Sequence, residues 1–145
     1  MEELNINWVA FAIAVVAQII IGFLWFHPAV MGKAWAKATG SDVKNMKPAN
    51  PGMTYGLTIL LTLLVTMFLV TNVTGPGQEV APSGHSYVTF QHGLFHGFIL
   101  TLMLIVPIFG TVALYDKRSL NWFLIQTGYW FLRLAIAAGI LSMMR

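Results

Sequence analysis

The chain has 145 residues, of which 57% are hydrophobic and 9% charged, with a net charge of +3 and no cysteine. Soluble domains carry about 25% charged residues, so this chain has too little polar surface to face water on every side. Disulfides, thiolate metal sites and thiol nucleophiles are excluded. The lysines flank apolar runs, which points to anionic lipid and away from nucleic acid.

Four apolar runs reach the roughly 20 residues that a helix needs to cross a bilayer. They cover about residues 8–27, 53–73, 87–115 and 120–143. The fold predicted is all-α, one polytopic membrane domain over residues 1–145: a four-helix transmembrane bundle with a short interfacial helix after the first span. The first run follows the acidic tail MEELNIN and exceeds a typical signal-peptide core, so it is expected to stay as a span.

In chain order, the first span places Ala10, Ala14, Gln18 and Gly22 at steps of four, a small and polar stripe suited to helix packing. It ends in WFHP, with Trp25 and His27 expected at headgroup level and Pro28 ending the helix. Residues 30–40 set Met31 and Trp35 on one helical face and Lys33 and Lys37 on another, the pattern of a helix lying in the headgroup layer. The second span opens after Asn50-Pro51-Gly52 and carries Thr54, Thr58, Thr62 and Thr66 at steps of four. Their hydroxyls are expected to bond the preceding turn and pack; a pore lining is the sharper alternative. Residues 74–84 (TGPGQEVAPSG) read as an irregular loop. In the third span Pro107 removes a backbone hydrogen bond and is expected to bend the helix. The fourth span carries Gln126, Tyr129 and Arg133 at helical spacing.

Charge orients the bundle. The first connection holds Lys33, Lys37, Lys44 and Lys47, and the third holds Lys117 and Arg118. The N-terminal tail and the second connection carry Glu2, Glu3 and Glu79. Positive loops stay in the cytoplasm, so both termini are expected on the non-cytoplasmic side of a bacterial inner membrane, with Arg145 dissenting.

The most unusual feature is HGLFHG in the third span. His92 and His96 stand one helical turn apart, and ionisable residues within spans mark functional sites by default. Counting 1.5 Å per residue puts His92 roughly 8 Å and His96 roughly 14 Å below the outer surface. Arg133 falls at roughly 10 Å and Tyr129 at roughly 16 Å. With Gln18, Thr62 and Thr66 at similar depth, these residues are expected to form one polar layer. The i,i+4 histidines could hold a metal, but no carboxylate lies in any span, and a neighbouring Arg133 would repel a cation and keep the imidazoles neutral. A hydrogen-bonded layer is therefore the leading reading, an anion or proton pathway the second, and metal or haem ligation the third. No cofactor is expected. His27 reads as interfacial and His85 as exposed.

Several of these residues resemble a bacterial membrane-protein family, domain of unknown function 1761 (DUF1761), over about residues 8–142. Trp25-Phe26-His27-Pro28 followed by Gly32, Lys33 and Trp35 is similar to its pattern of tryptophan, aromatic, variable residue and proline, then GK-x-W. The run from His92 to Gly97, Pro107 and Gly128-Tyr129-Trp130 look like one branch of it. Two positions depart from that pattern: Asp116 stands with Lys117 and Arg118, and Arg133 replaces a usually apolar residue. The resemblance implies fold and membrane location and names no reaction.

The function expected is a non-enzymatic membrane component that forms a homo-oligomer or binds a partner or lipid. The alternative is a small transporter or channel for an anion or proton, using the His, Arg and Tyr layer.

Overall fold

The computed structural model describes residues 6–42, 48–74, 80 and 83–145. Of the residues used to orient the chain, Glu2, Glu3, Lys44, Lys47 and Glu79 lie outside these. Six helices are described: α1 (Trp8–Trp25), α2 (Lys33–Thr39), α3 (Pro51–Val73), α4 (Phe90–Leu100), α5 (Val106–Tyr115) and α6 (Leu120–Met143). A π turn over Thr101–Ile105 joins α4 to α5 in one 26-residue span, so four spans are long and apolar enough to cross a membrane.

The ends of the helices follow from their sequence. Asn7, Asn50, Thr89 and Ser119 cap the four long helices through side-chain oxygens that accept from free first-turn amides. Just upstream of Pro107 the third span leaves α geometry in a π turn: Val106 donates to Thr101, one residue further back than in an α-helix. The start of α1 and the end of α6 lie at one end of the bundle, where the Asn7 side-chain amide donates to the Met144 carbonyl. Lys33, Lys37, Lys117 and Arg118 sit at the other, basic end. Val80, in the expected loop, pairs with Ser86 just beyond it in an isolated antiparallel bridge.

The central helix is α6. Half of its most apolar window is buried, against 17–28% in the other spans. On one side it meets α4 with almost no space between backbones: a Cβ on Gly93 would overlap the Ala138 carbonyl, and one on Gly97 the Ala135 backbone. Glycine permits this approach, and dispersion over the close seam replaces the hydrophobic drive that lipid cannot supply. On its other side Leu134, Ala137 and Leu141 pack with Ala10, Ala14, Leu69, Val70 and Val73 in a dry cluster toward the termini. Nearer the basic end this packing stops. Every residue of α3 from Pro51 to Leu61 is exposed, leaving the first half of that helix splayed from its neighbours.

Candidate anion cleft

Arg133 is 5% exposed and stands about 20 Å along α6 from Leu120. Its Nη1 donates to the Tyr129 hydroxyl at 2.9 Å, and its Nη2 to the Thr62 hydroxyl at 2.9 Å and Gln18 Oε1 at 3.3 Å. The guanidinium also lies over the rings of Trp130 (4.7 Å) and Tyr129 (5.3 Å). All these partners are neutral. Arg118 pairs with Asp116 at 3.9 Å at the basic end, and Arg133 Nε is buried with no partner. A guanidinium keeps its charge, so a full positive charge stands in low dielectric with no carboxylate of the described residues in a salt bridge with it.

The surrounding side chains hold that charge in place. Gln18 Nε2 donates to the Thr66 hydroxyl at 2.7 Å and to the Ala14 carbonyl at 3.3 Å, which turns Oε1 toward Arg133. Thr58, Thr62 and Thr66 each donate to the carbonyl four residues back, at 2.7–2.8 Å. This is the expected local bonding; it leaves the hydroxyl lone pairs of Thr62 and Thr66 for Arg133 and Gln18. Thr62, Thr66 and Gln18 are all at most 1% exposed.

A cleft of about 340 Å³ opens from this cluster between α1, α3 and α6. Arg133, Gln18 and Thr62 form its floor; Thr54, Thr58, Phe23, Phe26, Tyr55 and Ile59 are among its walls. Beyond the floor lies the dry core, with Leu69, Val73 and Ala14 at 0% exposure. The threonine row therefore runs along a cleft that ends at Arg133.

The segment expected at the interface supports this floor. His27 Nδ1 accepts from the Ala29 amide at 3.2 Å, Pro28 opens the π turn Pro28–Gly32, and a Cβ on Gly32 would overlap the Phe26 carbonyl. The chain can then reverse into α2, whose Ala36 is buried and whose Trp35 meets Phe26 edge-on at 5.9 Å. Phe26 packs against Tyr129 at 4.9 Å, and Tyr129 bonds Arg133. Trp25 lies over Gly128, where a Cβ would stand 3.3 Å from the indole. Lys33 and His27 stay exposed. Phe26, Gly22 and Trp130 were not anticipated as site residues; Trp130, three residues before Arg133, was the legible signal.

His92 and His96 do not join the layer. At about 100° per residue, Ala135 and Ala138, which receive α4, lie about 200° and 140° around α6 from Arg133. The histidine helix thus packs on the opposite side of α6 from the guanidinium. Depth counting carries no information about azimuth, and the Gly93–Ala138 and Gly97–Ala135 contacts also set Arg133 past the level of His96 along the bundle. The histidines instead bond each other, Nε2 to Nε2 at 2.9 Å, with Tyr87 stacked on His92 at 4.5 Å. The Tyr87 carbonyl accepts from Ser142 at 3.1 Å and from Arg145 at 3.5 Å, so the arginine near this pair is Arg145. Among the described residues no group of three potential metal ligands occurs. His85 is exposed.

The model of one protein family, described as a protein of unknown function (DUF1761), matches residues 9–142. No curated protein and no solved structure matches the chain.

Proposed function

The chain is a member of the DUF1761 family, and on that premise we propose that it is a non-enzymatic membrane component that binds an anionic group in the cleft above Arg133. One observation carries this reading: a buried guanidinium with an unpartnered Nε and only neutral neighbours lines a cleft large enough for a small ligand. Burying an ion several kcal/mol out of equilibrium with water is tolerated when a counter-charge compensates it. An anion above Arg133 supplies that charge, and Tyr129, which accepts from Arg133, still has its own hydroxyl proton to donate. The dry core behind the floor favours binding over conduction through one subunit.

We place the basic end in the cytoplasm of a bacterial inner membrane and both termini on the other face, following the positions of Lys33, Lys37, Lys117 and Arg118. A second reading, self-association, is favoured by the exposed first half of α3, where a Cβ on Gly56 meets nothing within 4 Å.

The test is a titration of the purified protein, in phosphatidylcholine nanodiscs, with acetate and inorganic phosphate, followed by tryptophan fluorescence because Trp130 lies against the guanidinium. Wild type should show a saturable change that weakens at least about tenfold in Arg133→Met. Identical titrations of the two would contradict anion binding at this site.

A further inference from the structure

The walls of the cleft specify more than charge. The floor is polar, but Ile19, Phe23, Phe26, Tyr55 and Ile59 make most of the walls apolar. The mouth is also lateral. Phe23 is 63% exposed, Tyr55 48% and Ile59 46%, on the two helices whose rings bridge across the gap at 6.3 Å. On spans of this length an exposed apolar side chain faces lipid, so a ligand entering between α1 and α3 passes along the bilayer, into which a small hydrophilic anion partitions only weakly.

From the lateral apolar mouth over a buried cationic floor we infer that the cleft takes a single-chain amphiphile carrying one carboxylate or phosphate, its head on Arg133 and Tyr129 and its chain against Phe23, Tyr55 and Ile59. The inference rests on the anion reading above and adds the ligand's body and its route. Charge complementarity fixes the head. The volume, about 340 Å³ and near the lower limit of roughly 300–1,000 Å³ for small-molecule sites, suits one chain. The chain acts mainly by raising the concentration of the head at a depth that a free ion reaches only rarely.

Equilibrium binding in phosphatidylcholine nanodiscs tests this with acetate, dodecanoate, dodecyl phosphate and phosphatidic acid on wild type, Arg133→Met, Arg133→Gln and Ile59→Trp. Ile59 is an exposed wall position, so the tryptophan narrows the mouth without entering the core. Dodecanoate or dodecyl phosphate should saturate at least about tenfold more tightly than acetate and lose that advantage in Ile59→Trp, and both Arg133 variants should lose saturable binding. Whichever dodecyl anion binds more tightly identifies the head. Equal affinity for acetate and dodecanoate, lost together without Arg133, would overturn the amphiphile and leave the anion site standing. Tighter binding of phosphatidic acid than of either dodecyl anion would overturn the single-chain occupant. Amphiphile binding that survives in both Arg133 variants, or no saturable binding of any probe, would overturn the anion site and the inference together.

Discussion

The two sides of α6 solve opposite problems. Toward α4 the helix offers Ala135, Ala138 and Gly139, and α4 answers with Gly93 and Gly97, so that nothing fits between the backbones. Toward α1 and α3 it offers Tyr129 and Arg133, and there the bundle leaves a cleft. The first side is held by contact, which tolerates no added atoms. The second is held by hydrogen bonds around a charge, and it has room to spare. One helix can therefore serve as both the mechanical centre of the bundle and the floor of a site, because the two duties fall on different faces.

Substitutions should break that comparison unequally. The largest effect is expected from Gly97→Leu, whose side chain has to displace the α6 backbone. We expect a loss of about 3 kcal/mol or outright failure to fold, read as thermal unfolding in detergent. Phe26→Ala should cost about 1–2 kcal/mol, since this half-buried ring links Trp35 to Tyr129, and it should weaken acetate binding severalfold by loosening the hydroxyl that meets Arg133. Arg133→Met should leave stability within about 1 kcal/mol of wild type, because the lost hydrogen bonds are offset by removal of a buried charge, while anion binding disappears. A fall of several kcal/mol with Arg133→Met would make the cleft as structural as the seam. The smallest effects belong to the histidine pair: His92→Gln should change stability by less than about 0.5 kcal/mol and His92→Leu by about 1 kcal/mol, since only glutamine can still bond His96. Equal midpoints for the two would show that the His92–His96 bond contributes nothing.

Much of this was legible from residue order. Span length and polarity marked the four crossings, step-four spacing marked the Gln18 and threonine faces, and Gln18, Thr62, Thr66, Tyr129 and Arg133 do meet. What the sequence could not supply was the rotation of one helix about its neighbours. Depth along the membrane normal follows from counting residues, but azimuth depends on which face packs on which, and the Gly93/Gly97 seam turned His92 and His96 away from Arg133. The WFHP segment reads as a membrane-surface anchor, which its exposed His27 suits; its contact with the site depends on the reversal at Gly32, which brings Trp35 onto Phe26 and, through it, onto Tyr129.

The central claim is that the charge of Arg133 awaits an exchangeable anion. The chain contains three arginines, so nitrogen-15 labelling of arginine side chains gives a spectrum simple enough to assign with Arg133→Met. The Nε–H of Arg133 is buried without a partner, and adding dodecanoate to the protein in nanodiscs should move its resonance while those of Arg118 and Arg145 stay fixed. A stationary Arg133 resonance at saturating dodecanoate, with acetate equally silent, would contradict the account.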